Sequence, residues 1–223
     1  MSFRSVRSGR SLRSATTAVV ASALAAAGIA ALTAPASAAP AGTSAGASVG
    51  ASAPGFLKAT DLPPHPSSPW SAGPVRSGLP ENPLFCLKGA LPAAGSWHRL
   101  FGTEMDASAR QVSVRAGSTA KAKALAAALE KKAAACAADW LRKTPGGLAS
   151  WQDYGKLNVE EGAHVYGVHT AVPDSEHGVH LFGIGRDGTT VTVVNWSQMG
   201  TLTDAPIAAF KKTTTTAVKK LNP

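Results

Sequence analysis

The chain has 223 residues, 44% of them hydrophobic and 16% charged, and Lys plus Arg (22) outnumber Asp plus Glu (13) for a formal net charge of +9. No Arg-rich stripe interleaves with aromatics, so the basic surplus does not point to nucleic acid. It also shrinks at once, because part of it belongs to a segment that is not fold.

Arg4, Arg7, Arg10 and Arg13 form a basic start with no acidic residue, and an apolar stretch follows from about Ala15 to Leu32. Ala36-Ser37-Ala38 then supplies a small-x-small cleavage site. This predicts a signal peptide over 1–38, cut after Ala38, rather than a membrane span, since the apolar part is short and alanine-dominated. No cysteine lies near the cut to take a lipid, and no adjacent arginine pair occurs, so the general secretory route is expected. No later segment is long and apolar enough to span a bilayer, and a secreted, soluble, monomeric chain is expected. Loss of those four arginines takes +9 to +5. The lysines that remain cluster at Lys121, Lys123, Lys131 and Lys132 and at Lys211, Lys212, Lys219 and Lys220, and read as solvated helix faces. Weak attraction to acidic cell-wall polymers is compatible with that charge. Outside the cytoplasm the chain's two cysteines, Cys86 and Cys136, are most simply one disulfide, and their spacing suits no zinc site.

Residues 39–54, "APAGTSAGASVGASAP", are low-complexity Ala, Gly, Ser and Pro and predict a flexible leader. The 169 residues of 55–223 suffice for one domain with a core, and no internal repeat is visible. Phe56 and Leu57 start a short helical turn that the prolines after Asp61 end, and Trp70 tacks this arm to the body. Pro83 is placed as the first residue of a helix carrying Cys86. "WHRLFGTEM" and "RQVSVRAG" alternate apolar and polar residues, with Val112 and Val114 on one face, and predict an antiparallel pair.

Ser118 caps a long helix from Thr119 to about Arg142, ended by Pro145-Gly146-Gly147. At about 100° per residue, Leu125, Leu129, Ala133, Cys136 and Trp140 fall within roughly 80° of one another, whereas Lys123, Glu130 and Lys131 lie off that stripe. Cys136 therefore points inward. Four strands follow in "SWQDYGKLNV", "AHVYGVHTAV", "GVHLFGIG" and "TTVTVVNW", with Asp187-Gly188 as a hairpin signal. Thr203 or Asp204 caps a last helix to about Leu221, with Pro206 near its start. The order predicts an α+β fold: a mainly antiparallel β-sheet packed with a long central helix and a C-terminal helix, closed by one disulfide.

Of six histidines, His65 falls in the proline-rich arm and His98 in an early strand. His164 and His169, like His177 and His180, are spaced so that each pair diverges to opposite faces of a strand, so neither makes a local metal pair. Cross-strand pairing offers more. If Arg186 pairs with Thr189, then His180 faces Asn195; if Val172 pairs with His177, then His169 faces His180. A polar row His169–His180–Asn195 is the candidate ligand site, against the plainer reading that these histidines are exposed or locally satisfied. No catalytic residue, metal site or cofactor is assigned. Bonded cysteines are not nucleophiles, and no serine sits in a Gly-x-Ser-x-Gly elbow. "GIGRDG" does not open a helix as a phosphate loop does. Glu160 and Glu161 read as a solvated turn, and Asp174, Glu176 and His177 as a polar loop. Trp97, Trp151 and Trp196 read as core or cross-strand packing more than as a binding groove.

"FLKATDLP" with its following tryptophan, "QVSVRAG", the helix with "AAAC" and Trp140, and the late "IGRDGTTVTVVNW" hairpin together resemble the PknH-like extracellular sensor domain family, over roughly 55–223. The resemblance implies an actinobacterial secreted form of an antiparallel sheet packed with helices, stabilised by disulfides at positions matching Cys86 and Cys136, with a cleft for an unidentified ligand. The chain departs from the kinase form in lacking a kinase domain, a later membrane span and a second cysteine pair. The expected function is a secreted, non-catalytic, sensor-like domain binding a small molecule or a cell-wall component. Two other readings stand beside it. One is a small extracellular hydrolase or metal-dependent enzyme, which needs three or more of His164, His169, Asp174, Glu176, His177 and His180 around one point. The other is an inhibitor or wall-associated protein presenting the "AVPDSEHG" loop.

Overall fold

Runs rich in β-branched and aromatic residues carry the second half of the chain into four long strands. The computed structural model describes residues 52–222. The expected signal peptide, and all of the leader except 52–54, lie outside the described residues. A 3-10 turn at Ala59–Asp61 is followed by the short strands β1 (Ser71–Ala72) and β2 (Arg76–Ser77). Next come β3 (Ser96–Gly102), β4 (Ser108–Arg115) and helix α1 (Thr119–Leu141). Strands β5 (Leu148–Leu157), β6 (Ala163–Ala171), β7 (His177–Asp187) and β8 (Thr190–Met199) precede helix α2 (Ile207–Lys219). The eight strands form one antiparallel sheet in the order β1-β3-β4-β8-β7-β6-β5, with β2 pairing on β3. The α+β architecture with a long central helix, a C-terminal helix and one disulfide is thus as expected.

The helices cover opposite faces of the sheet. On one face α1 lays Ala122, Leu129, Ala133 and Cys136 over Val112, Val168, Phe182, Ile184 and Val193. On the other, Phe210 and Ala217 of α2 pack with Val165, Val179, Leu181, Val194 and Trp196. Strand parity divides each strand's side chains between these layers. Gly183 marks how closely α2 approaches: a Cβ there would stand 2.1 Å from the Thr214 hydroxyl.

The N-terminal arm serves both layers. Leu57 and Leu62 enter the α2-side core. There Gln111, fully buried, accepts from the Leu57 amide at 2.8 Å and donates to Thr192 Oγ1 at 3.2 Å. Packing begins at the arm's first residues, since a Cβ on Gly55 would lie 1.9 Å from the Lys220 carbonyl oxygen. The chain then crosses the sheet edge, and Leu84, Leu87 and Leu91 join the α1-side core. Trp70 fastens the arm by donating its indole N–H to the Pro63 carbonyl at 2.7 Å.

Two expected elements differ. The segment after Pro83 is a succession of turns, not a helix: Cys86 takes a left-handed φ of 57°, which breaks helical continuation while Leu84 and Leu87 stay buried. At α2, Pro206 holds the N-cap position without a side-chain cap. Asp204 instead closes the preceding turn, accepting from the Thr201 amide and hydroxyl at 2.8 Å each. Cys86 and Cys136 are bonded, with Cα atoms 5.5 Å apart. The bridge ties the turn-rich segment to the buried stripe of α1.

Candidate functional site

The hairpin register decides which polar groups meet. In the β7–β8 pair, Asp187 faces Thr190, so the two-residue turn is Gly188-Thr189. His180 then faces Ser197, and Asn195 faces Phe182. In the β6–β7 pair, His169 faces Val179 and His180 faces Val168. The expected row His169–His180–Asn195 does not form. The one-residue difference in the β6–β7 register sends His169 to the α2 side of the sheet and leaves His180 on the α1 side. Asn195 is spent internally, donating to the Leu181 and Trp196 carbonyls at 3.2 and 3.4 Å. His180 stacks on Phe85, with ring centroids 3.9 Å apart and planes 8° from parallel. His169 instead meets His177, Nε2 to Nδ1 at 2.8 Å.

A different residue set converges on the α1 side. His164, Tyr166 and Val168 alternate along β6 and face α1. A β-bulge in β5 shifts the register between Asp153 and Gly155. Gly155 adopts a φ of 89° there, and its amide donates to Asp153 Oδ1 at 2.7 Å. The bulge presents Asp153 to His164 Nε2 at 2.7 Å. The other ring nitrogen, Nδ1, lies 2.9 Å from the Tyr166 hydroxyl and 3.3 Å from Glu130 Oε2 on α1. For Asp153 the upward push of burial is the largest single influence. It is outweighed by the Gly155 amide, the His164 hydrogen bond and the charges of His164 and Lys156, so its carboxyl is held below the usual range. Burial, followed by the charges of Glu130 and Asp153, raises the Tyr166 phenol well above its ordinary value. It stays a neutral hydrogen-bond donor.

Beside this network, between α1 and the ends of β5, β6 and β7, lies a cavity of about 320 Å³. Lys123, Glu130, Lys156, Glu161, His164 and Arg186 line it, with backbone at Gly162 and Gly185. Its carboxylates are already engaged: Glu130 faces His164 at 3.3 Å, and Glu161 accepts from the Gly188 amide at 2.7 Å. Its cations are not. Among the described residues, Lys123, Lys156 and Arg186 form no ion pair within 4 Å, and Arg186 Nη1 is buried without a hydrogen-bond partner. The walls therefore offer positive charge and unmet donors.

The remaining expected residues scatter. His98 Nδ1 meets the Gly78 carbonyl at 2.8 Å, and His65 Nδ1 accepts from the Ser67 and Ser68 amides. Trp196 is core, Trp97 lies beneath the Arg115 guanidinium, and Trp151 is half-exposed beside Tyr166. Among the described residues no group of three or more His, Cys, Asp or Glu side chains is placed to hold a metal ion. The set His164, His169, Asp174, Glu176, His177 and His180 accordingly does not gather at one point. Also among the described residues, no helix is long and apolar enough to cross a membrane.

Sequence reasoning missed Asp153, Tyr166, Glu130 and Arg186 as neighbours. The i, i+2 spacing of His164 and Tyr166 was a readable signal. The bulge that delivers Asp153 had only Gly155 to announce it.

No protein-family model matches the sequence and no curated protein matches it. Among solved structures, the extracellular domain of PknH from Mycobacterium tuberculosis is similar at a TM-score of 0.40 and 13% identity, over 65% of this chain and 82% of that one.

Proposed function

We propose that the chain is a secreted, non-catalytic binding domain, mature from Ala39 and folded as one unit over 55–223, whose ligand is a small anion seated between α1 and the β5–β7 strand ends. The observation that carries this reading is the Arg186 guanidinium, which lines a cavity with one buried nitrogen unpartnered. A buried donor left unsatisfied costs about 1–3 kcal/mol, and more when charged. A carboxylate or phosphate oxygen supplies the missing acceptor through a charge-assisted hydrogen bond. Lys123 and Lys156 on the same walls add attraction for the same sign of charge.

The His164 network supports binding rather than turnover. Both ring nitrogens are engaged within the protein, by Asp153 on one side and by Tyr166 and Glu130 on the other. Each of these contacts is one the protein makes with itself, so the ring serves as a fixed part of the cavity wall. The closed disulfide fits folding outside the reducing cytosol, and bonded cysteines offer no nucleophile. The role matches the one implied by resemblance to the PknH-like extracellular sensor domains.

A thermal-shift series with inorganic phosphate, sulfate, citrate and succinate tests the proposal. At least one anion raises the melting temperature in a saturable manner, and R186Q removes the rise. An R186Q protein that keeps the full shift sinks the reading, as does a wild-type protein that responds to none of them beyond an ionic-strength control.

A further inference from the structure

We propose that His169 and His177 form a binding site for a late first-row divalent cation, Cu²⁺ foremost, on the α2 side of the β6–β7 hairpin. Their Nε2 and Nδ1 atoms stand 2.8 Å apart, with ring centroids at 4.9 Å and planes inclined by 30°. Two imidazole nitrogens bound to one ion at about 2.0–2.1 Å each, with a bond angle of about 90–110°, lie about 3 Å apart. The nitrogens need separate by only a few tenths of an ångström, with a turn of the rings, for an ion to replace the proton between them.

The backbone sets this spacing in advance. His169 faces Val179 across the β6–β7 ladder, so His177, two residues earlier, is its diagonal neighbour on the same face. β6 is held on its far side by β5, where Ser150 faces His169. β7 is held at its start by the Gly200 amide, which donates to the His177 carbonyl at 2.9 Å. His177 is exposed and His169 partly buried. A basin of about 660 Å³ beside His177 is lined also by Asp174, Ser175 and Glu176, which leaves room on that side for water or an outside donor in the other coordination positions. Imidazole ligands favour Cu²⁺ over Zn²⁺ in the ordinary affinity order.

The test titrates metal-free protein with CuCl₂ and with ZnCl₂ by calorimetry, and records the Cu²⁺ electron paramagnetic resonance spectrum at one equivalent. One Cu²⁺ binds per chain with hyperfine coupling to two imidazole nitrogens, and Zn²⁺ binds more weakly. H169A and H177A each weaken Cu²⁺ binding at least about tenfold, with melting curves near wild type because the pair lies at the rim. A distant H65A variant keeps the affinity. Unchanged affinity in both H169A and H177A, or a spectrum without imidazole coupling, overturns the proposal. The anion experiment addresses the other face of the sheet, so neither result stands in for the other.

Discussion

Protonation of His180 should drive much of the acid sensitivity of this fold. The ring sits on β7 beneath α1, stacked on Phe85, and its Nδ1 is buried without a partner. Burial, and then the charge of Arg110, lower its pKa from 6.5 to about 4. Between those values the unfolded chain holds a proton that the folded chain refuses. Stability is therefore unaffected by this group above about pH 7, falls as pH drops through 6.5, and reaches its full loss near the folded value. A drop from 6.5 to about 4, at about 1.36 kcal/mol per pH unit, amounts to about 3 kcal/mol. The assay is urea denaturation of wild type and H180F at intervals from pH 7.5 to 4. Phenylalanine keeps the stack on Phe85 and cannot titrate. Carboxylates elsewhere contribute equally to both proteins and cancel in the difference. Wild type should lose about 3 kcal/mol more than H180F across that range. Parallel curves, within about 0.5 kcal/mol of each other, would refute the reasoning.

Other expectations follow from particular contacts. The unfolded, unreduced protein should show no free thiol, and C136S or reduction should cost about 4 kcal/mol, since the bridge closes a loop of 50 residues. G183A forces a Cβ to within 2.1 Å of the Thr214 hydroxyl and should destabilise by about 1–3 kcal/mol in a urea melt as α2 is lifted. Gln111→Ala leaves the buried Leu57 amide without its 2.8 Å acceptor. It should cost about 1–3 kcal/mol, and hydrogen exchange at Leu57 should quicken before that at Val112.

The architecture was readable because its signals are periodic and local. The α1 stripe follows from helical geometry alone, and Leu129, Ala133 and Cys136 are buried as it requires. The Ser118 cap, accepting from the Lys121 amide at 3.2 Å, is written in its residue type. The divergence of His164 from His169, and of His177 from His180, follows from strand parity. Register is another matter. Asp187-Gly188 signals a hairpin, but the turn uses Gly188-Thr189, and that displacement moves His180 from Asn195 to Ser197. In β6–β7 a single residue exchanges one face for the other and, with it, the partner of His169. The turn after Ala171 contains Pro173, Asp174 and Ser175, each at home in several turn types, so composition does not choose among registers. The left-handed Cys86 was illegible for a similar reason: Pro83 is a good helix starter, and only tertiary burial of Leu84 and Leu87 overrides it.

Polar groups in the interior are otherwise matched with care: Gln111 with Leu57 and Thr192, Asn195 with two carbonyls, Ser113 with Thr192. Against that background, the described residues contain two buried side-chain atoms without partners, His180 Nδ1 and Arg186 Nη1. Both belong to β7 and both face α1, six positions apart on a strand of alternating faces. Their chemistry separates them. Imidazole escapes the cost of burial by staying neutral, and Phe85 stacks on its ring, so His180 expresses its defect as acid lability. Guanidinium keeps its charge at any pH of interest, so Arg186 has no such escape. Its remaining relief is an acceptor from outside, and the cavity it lines is open to one. The same fault in hydrogen bonding is thus a stability term at His180 and, under the proposed function, a binding determinant at Arg186.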